Sequence, residues 1–265
     1  MRNIINLNEN WLFVKGTSDV SLREGERVDR PHSWNATDGQ DGGNEYFRGC
    51  CLYVKSLKKS ELPTADRYYV EICGANSSAD VYVGGEKLAH HDGGYSTWRV
   101  NITDEVKEEI EIAVIVDNSI NETVYPQMAD FTFYGGIYRD VNLICVDNTH
   151  FDLDYYGAPG IKITPVVNGK DASVEVEAFV KNLGANQTLV YAIYDKDENE
   201  LQKIETTDEK VTFEIKDVHL WNGRKDPYLY CCEVEIVEGD ALRRKPRCGH
   251  SDSADKPPQR RDHRS

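Results

Sequence analysis

Hydrophobic and polar residues alternate with a period of two along most of the chain, and turn residues separate the alternating runs. Residues 109–118 show the pattern clearly. Ile110, Ile112, Val114 and Val116 fall on one face of an extended chain, and Glu111 falls on the other. An apolar stripe at helical spacing persists for three turns almost nowhere. The pattern therefore predicts an all-β protein.

The alternating runs before residue 147 predict a first domain. They cover residues 67–73, 79–83, 96–103, 109–118 and 138–146, and the pair Gly84 and Gly85 marks a turn after the second run. Together with shorter runs near the start, they predict about eight or nine strands, which favours a jelly-roll sandwich over residues 1–147.

The alternation restarts after Asp147 and predicts a second domain. A link rich in glycine and proline over residues 151–164 precedes runs at 173–181, 189–194, 211–215 and 228–237. About 90 residues of short alternating strands favour an immunoglobulin-like sandwich over residues 148–239. The Cys-Trp-Cys core of antibody domains is missing from this segment, so the likeness is one of architecture.

Charge and composition narrow the function classes. The net charge of −15 argues against a nucleic-acid partner, because phosphates require a basic surface. The chain contains no apolar run of membrane-spanning length, and its first residues do not resemble a secretory signal. We therefore expect a soluble, cytoplasmic protein without a membrane partner. The seven cysteines lack metal-binding spacing and predict reduced thiols.

The last 26 residues differ in charge from the rest of the chain. Residues 1–240 carry 23 basic and 43 acidic side chains, whereas residues 241–265 carry 8 basic and 3 acidic ones. The composition of residues 240–265 predicts a basic, disordered tail. A frameshifted or prematurely ended reading frame is one explanation of this change, and a natural basic arm that binds a polyanion is the other.

The segment 130–141 has a composition that suits a sugar site. It combines the carboxylate of Asp130 with aromatic residues and the pair Gly135 and Gly136. Aromatic faces stack on pyranose rings, carboxylates accept hydrogen bonds from hydroxyls, and glycines let the backbone approach a ligand. The alternative is a glycine turn that leads into a buried strand.

Seven separated motifs resemble, in their order and spacing, the non-catalytic N-terminal half of glycoside hydrolase family 2, the β-galactosidase and β-glucuronidase family. The motifs lie at residues 10–13 (Asn-Trp-Leu-Phe), 30–35 (Arg-Pro-His-Ser-Trp-Asn), 46–53, 79–95, 116–118 (Val-Asp-Asn), 130–141 and 220–230. The resemblance implies a sugar-binding jelly roll followed by an immunoglobulin-like spacer.

The same resemblance implies that the catalytic residues lie elsewhere. In this family a (β/α)₈ barrel follows the spacer and supplies both carboxylates, which retaining hydrolysis requires about 5 Å apart. Such a barrel needs roughly 250 residues, and the 26 residues of the tail cannot hold it. No catalytic residue is therefore predicted here, and we expect this chain alone not to hydrolyse glycosides.

The resemblance also nominates a partial substrate site. Asp130 falls where β-galactosidases place an aspartate that contacts galactose hydroxyls and a monovalent cation, here Na⁺. His32 and Trp34 are predicted to line the same site, although Trp34 could instead anchor a packed loop. Ser33 replaces a substrate-contacting asparagine of some β-galactosidases. Asp130 could also be a turn residue, but its position favours a galactoside over a glucuronide. No cofactor is predicted for this segment, and the resemblance implies Mg²⁺ only for a full-length enzyme.

Three functional hypotheses follow. The first is an N-terminal fragment of a β-galactosidase-type hydrolase. The second is a stand-alone carbohydrate-binding module, and the third is a subunit that complements a barrel in trans. Phe131, Phe133 and Tyr134 either stack on a sugar or fill the seam with the barrel, and in the second case the chain is predicted to self-associate.

Overall fold

The computed structural model describes residues 2–36, 46–125, 127 and 132–239, with the backbone of 241–242 and 247–248. Strands make up 51% of the described residues and helices 3%, which confirms the all-β prediction. The chain divides into two compact units. The first comprises the residues up to Gly160 together with Val180–Leu183, and the second comprises Ile161–Phe179 and the residues from Gly184 onward.

The strands follow one another in short runs. Those of the first half are β1 (Arg2–Asn6), β2 (Trp11–Lys15), β3 (Glu26–Val28), β4 (Cys50–Lys58), β5 (Arg67–Ile72), β6 (Ala75–Asn76), β7 (Ser78–Val83), β8 (Glu86–Asp92), β9 (Trp98–Asn101), β10 (Glu109–Asp117), β11 (Gly136–Ile137), β12 (Val141–Val146) and β13 (His150–Phe151). The others are β14 (Ile161–Asn168), β15 (Asp171–Ala178), β16 (Val180–Lys181), β17 (Gln187–Tyr194), β18 (Glu200–Thr206), β19 (Lys210–Ile215), β20 (Cys231–Glu238), β21 (Ala241–Leu242) and β22 (Arg247–Cys248). Single 3₁₀ turns occur at Lys59–Glu61 and Thr103–Glu105.

The first unit is the predicted jelly roll. A six-stranded sheet in the order β3-β2-β4-β10-β7-β8 faces a four-stranded sheet in the order β1-β12-β5-β9, and all paired neighbours are antiparallel. The pairs β6 with β11 and β13 with β16 complete the unit. One core lies between the sheets, and its fully buried side chains include Trp11, Tyr53, Ile72, Ile112 and Leu143.

The six-stranded sheet is apolar on its outer face as well. Five buried residues of this face form a second cluster: Leu12, Leu52, Val54, Ala113 and Ile115. Val20, from the connection between β2 and β3, packs against them. An ion pair between Arg23 and Glu111 joins that connection to β10. The connection therefore shields an apolar face that strict alternation would have placed in water.

The second unit is the predicted immunoglobulin-like sandwich. One sheet has the order β14-β15-β19, and the other has the order β18-β17-β20, with β21 and β22 both paired to β20. Val174, Val176 and Ala178 alternate into the interior of this unit, where Tyr191 and Phe213 are fully buried. The period-two pattern thus places the core of this unit correctly.

Two further predictions concern disulfide bonds and membrane-spanning helices. None of the six described cysteines forms a disulfide. Among the described residues, no helix has the length and apolar character needed to cross a membrane.

Candidate functional site

Four segments that are far apart in the chain meet at one edge of the jelly roll: residues 32–36, 47–49, 117–119 and 132–137. We call their meeting place the motif edge. The backbone N–H of His32 donates to the carbonyl oxygen of Ile137 at 2.9 Å. The Ser33 hydroxyl donates to the carbonyl oxygen of Gly135, also at 2.9 Å. Motifs that the sequence presents separately therefore form one local structure.

Asn118 is the centre of the motif edge and is completely buried. Its Oδ1 accepts the backbone N–H of Gly49 at 2.9 Å. Its Nδ2 donates to Asn35 Oδ1 at 3.1 Å and to the carbonyl oxygens of Phe47 and Phe133, each at 3.3 Å. Because an amide carries both donors and acceptors, one side chain can satisfy backbone groups of several loops at once.

Asn35 extends the network and is also completely buried. Its Oδ1 accepts the backbone N–H of Gly135 at 2.8 Å, and its Nδ2 donates to the carbonyl oxygen of Phe47 at 2.9 Å. The backbone N–H of Asn35 donates to Ser33 Oγ at 3.2 Å. The two asparagines together hold all four segments of the motif edge. Both asparagines lie within motifs that carry the family resemblance, but neither was predicted to be a site residue.

Gly135 and Gly136 are required where the loops approach each other most closely. A Cβ atom at position 135 would lie 2.1 Å from Cζ2 of Trp34, and one at position 136 would lie 2.3 Å from the carbonyl oxygen of His32. Gly136 also has φ of +133°, which L-residues rarely adopt. Glycine at both positions is what lets the 132–137 backbone lie against the 32–36 loop.

The structure places His32 and Trp34 side by side in this loop. His32 is half-buried, with Nδ1 2.8 Å from the Tyr53 hydroxyl, and its ring packs edge-on against Phe13. Burial, reinforced by the charge of Arg30, lowers the pKa of His32 to about 4, so the ring is neutral at neutral pH. Trp34 is only 7% exposed. Its indole serves the packing of the loop, and the substrate contact predicted for both residues stays a prediction.

Arg30, just before this loop, packs against aromatic residues of the core. Its guanidinium lies 4.0 Å from the Tyr53 ring centroid and 5.2 Å from that of Trp11, which makes two cation–π contacts. The side-chain nitrogens are buried and have no hydrogen-bond partner among the described residues. Burial accordingly lowers the pKa of Arg30 to about 10.

An aromatic group lies beside the motif edge. The ring centroids of Tyr95 and Tyr125 are 4.9 Å apart, and those of Tyr125 and Phe133 are 6.2 Å apart. The guanidinium of Arg48 lies 6.0 Å from the Phe133 ring centroid. Phe133 itself is buried, whereas Tyr95 and Tyr134 are 59% and 43% exposed. The aromatic surface open to a ligand is therefore provided by these two tyrosines.

Asn76 ties the aromatic group to the motif edge. Its Nδ2 donates to the carbonyl oxygen of Tyr134 at 2.7 Å, and its Oδ1 accepts the hydroxyl of Tyr125. Burial is the main cause that raises the pKa of Tyr125. A Cβ atom at Gly94 would lie 2.4 Å from Asn76 Oδ1, and the Tyr138 hydroxyl donates to the Gly94 carbonyl oxygen. Gly94 thus has the same role as Gly135 and Gly136.

Asp130 and Phe131 lie outside the described residues, so the predicted sugar and Na⁺ contacts of Asp130 stay predictions. Across the described part of the chain, no cluster of three or more histidine, cysteine, aspartate or glutamate side chains could hold a metal ion. The motif edge as described combines amides, a phenol, a neutral imidazole and aromatic rings with the charged side chains of Arg48 and Asp117. These groups can stack on a hydroxylated ring and hydrogen-bond to it.

Comparison with known proteins gives a consistent result. Residues 159–246 match the family model described as glycosyl hydrolases family 2. A beta-glucuronidase of Bacteroides fragilis is 32% identical over 248 residues, which are 89% of this chain and 35% of that protein. A beta-galactosidase of Thermoanaerobacter pseudethanolicus is 27% identical over 257 residues, 89% of this chain and 33% of that protein.

Solved structures agree in fold. The crystal structure of an FMN-binding beta-glucuronidase from Facaelibacterium prausnitzii L2-6 superposes with a TM-score of 0.83 at 37% identity, covering 93% of this chain and 39% of that one. A putative beta-galactosidase from Bacteroides fragilis superposes with a TM-score of 0.82 at 29% identity, covering 93% and 40%. The chain thus spans little more than a third of the length of the relatives it matches.

Proposed function

Because this chain belongs to glycosyl hydrolase family 2, we propose that it forms the non-catalytic N-terminal part of a retaining β-glycosidase and supplies one wall of the active site. The two catalytic carboxylates come from a barrel outside these 265 residues. The jelly roll orients the substrate, and the immunoglobulin-like unit is a spacer.

The observation that carries this proposal is the convergence at the motif edge. Asn35 and Asn118 are buried and hydrogen-bonded to the backbone of separate loops. Residues 132–137, which follow Asp130 closely in the sequence, are thereby fixed. A wall that orients a substrate needs this kind of support, because small displacements of positioning groups reduce rates strongly.

The substrate class is a β-glycoside. The relatives include proteins named beta-glucuronidase and proteins named beta-galactosidase, so both remain candidates within this class. Asp130 favours the galactoside, since a carboxylate accepts hydrogen bonds from neutral sugar hydroxyls and repels the carboxylate of a glucuronide.

The test uses the purified 265-residue chain with nitrophenyl β-galactoside and nitrophenyl β-glucuronide. The chain alone should release no nitrophenol above a mock purification. It is then mixed with a fragment of the Bacteroides fragilis beta-glucuronidase that lacks the matching 35% of that protein. Hydrolysis should return with this chain and with the relative's own missing fragment, which is the positive control.

Two outcomes would contradict the proposal. One is hydrolysis by the 265-residue chain alone. The other is rescue by the relative's own fragment but never by this chain. Asn118→Ala should weaken the rescue, whereas Asn6→Ala, which alters an exposed side chain of β1, should not.

A further inference from the structure

A cleft lies at the side of the jelly roll where its two sheets end. It is formed where the outermost strands β8 and β9 of the two sheets meet residues 153–157. Its volume is about 420 Å³, and its lining includes His91, Ser96, Trp98, Asp154 and Tyr156. Small-molecule sites commonly have volumes of about 300–1,000 Å³. We call this cavity the β9 cleft.

Aromatic rings form one wall of the β9 cleft. Trp98 is 8% exposed, and the His91 ring stacks on it with centroids 4.8 Å apart and planes 15° apart. The indole N–H of Trp98 is buried and has no hydrogen-bond partner among the described residues. Buried donors of this kind are normally satisfied, but this one is shielded from solvent, so a ligand in the cleft meets the Trp98 ring and not its N–H.

Tyr156 forms the rim and is 90% exposed, the highest value among the large hydrophobic residues of the described chain. Its φ is +47°, which is uncommon outside glycine. The neighbouring backbone is fixed, because a Cβ atom at Gly157 would lie 2.0 Å from the carbonyl oxygen of Thr97. The fold therefore keeps the Tyr156 ring exposed to solvent at the rim of the β9 cleft.

The charges around the cleft discriminate among ligands. Arg99 is committed to other groups, since its Nε donates to Glu71 at 2.7 Å and its Nη1 donates to the carbonyl oxygens of Leu153 and Ala158 at 3.1 and 2.7 Å. Asp154, in contrast, exposes its side chain at the cleft. An anionic ligand would meet the negative charge of Asp154, whereas the positive charge of Arg99 is balanced by Glu71 in an ion pair at 2.7 Å.

The remaining polar groups are hydroxyls and a neutral imidazole. His91 Nε2 lies 2.9 Å from Ser96 Oγ, and burial lowers the pKa of His91. The Thr97 hydroxyl belongs to the same lining. Exposed aromatic faces with hydroxyl, imidazole and carboxylate partners are suited to a ring that has apolar faces and several hydroxyls.

We propose that the β9 cleft is an accessory glycan-binding site for a neutral pyranose unit. The ring stacks on Tyr156, and Asp154 accepts hydroxyl hydrogen bonds. Its lining shares no side chain with the motif edge. Binding here is therefore independent of the active-site role proposed above and would anchor the protein on a polysaccharide.

The test follows the indole N–H signals of the 265-residue chain by NMR during titration with three methyl glycosides. Methyl β-D-galactopyranoside and methyl β-D-glucopyranoside are neutral, and methyl β-D-glucuronide is anionic. The Trp98 signal is identified by its disappearance in Trp98→Phe. We expect the neutral glycosides to shift this signal saturably and the glucuronide to bind at least several-fold more weakly.

Three variants separate the β9 cleft from other surfaces. Tyr156→Ala removes an exposed ring and should weaken binding about tenfold, a change of about 1.4 kcal/mol. Trp221→Ala removes a 63% exposed aromatic residue of the second unit and should leave binding unchanged. Asp130→Asn tests the motif edge and should also leave the Trp98 response unchanged.

An unshifted Trp98 signal at the solubility limit of both neutral glycosides would overturn the proposal. So would binding that survives Tyr156→Ala but is lost in Asp130→Asn, because the sugar would then bind at the motif edge. Stronger binding of the glucuronide would overturn the charge argument and the ligand class with it.

Discussion

Asn118→Ala is the sharpest perturbation of the motif edge. The wild-type amide makes one short bond to the Gly49 N–H and shares its two N–H groups among three acceptors. We count this as three hydrogen bonds, each contributing about 1 kcal/mol net. The substitution also leaves buried backbone groups without a partner, so we expect a loss of about 3–5 kcal/mol in the free energy of unfolding.

The measurement needs a probe for the jelly roll alone, because the chain has two units and need not unfold in one step. Three of the four tryptophans, Trp11, Trp34 and Trp98, lie in the first unit. The fourth, Trp221, is exposed in the second unit and can be replaced by phenylalanine. In that background, tryptophan fluorescence during urea denaturation reports only the unit that contains the network.

Asn6→Ala is the matched control, because its amide is exposed. Its bond to Asn142 is long, at 3.4 Å, and the hydrogen bond that its Oδ1 accepts from the Asn8 N–H, at 2.9 Å, is also exposed. It should cost less than about 1 kcal/mol. A loss below 1 kcal/mol for Asn118→Ala, equal to the control, would refute the conclusion that buried amides hold the motif edge together.

Three further changes test neighbouring parts of the site. Gly135→Ala should destabilise the jelly roll by about 2–4 kcal/mol in the same urea assay, since the added Cβ would lie 2.1 Å from Trp34. His32 has its pKa lowered from 6.5 to about 4, so the unfolded chain takes up a proton between these pH values and the folded chain does not. Stability should therefore fall as the pH is lowered from 6.5 to 4, and His32→Gln should flatten this dependence. Arg30→Met should cost less than about 1 kcal/mol or raise the melting temperature, because it removes a buried guanidinium without hydrogen-bond partners among the described residues.

These changes have their own controls. Gly74→Ala, in the same unit, meets its nearest atom, Cδ of the Arg139 side chain, only at 3.0 Å, so it should be much milder than Gly135→Ala. An unchanged pH slope in His32→Gln would show that the ring titrates normally. A loss above 3 kcal/mol in Arg30→Met would show that the contacts with Trp11 and Tyr53 outweigh the burial of charge.

Local patterns predicted the fold because each strand carries its own signal. The run at 109–118 became β10, and Ile110, Ile112, Val114 and Val116 are all buried as expected. The second apolar cluster on the outer face was not anticipated. Its signal was present in β4, where Cys51–Val54 is continuously apolar rather than alternating. Such a run predicts a strand that is covered on both faces.

The site was less predictable, because its contacts join residues far apart in the chain. Asn35 and Asn118 are 83 positions apart, and no periodicity connects them. Both do occur inside motifs that carried the family resemblance, and this was the only available signal. The resemblance nominated Trp34 to line the site, with a packed loop as the alternative. Exposure depends on packing, and Trp34 is 7% exposed, whereas Tyr95 and Tyr134 are more accessible.

The hydrogen bonds that stabilise the motif edge bear on the proposal that this chain supplies one wall of an active site. The hydrogen bonds that the structure describes for Asn35 and Asn118 go to groups within the jelly roll. They do not need a barrel to form, so the wall is arranged before any partner surface arrives. Preorganisation of this kind lowers the ordering cost of assembly. It is the physical reason to expect that the 265-residue chain can complement a barrel in trans, and that Asn118→Ala should lose this ability even where the chain remains folded.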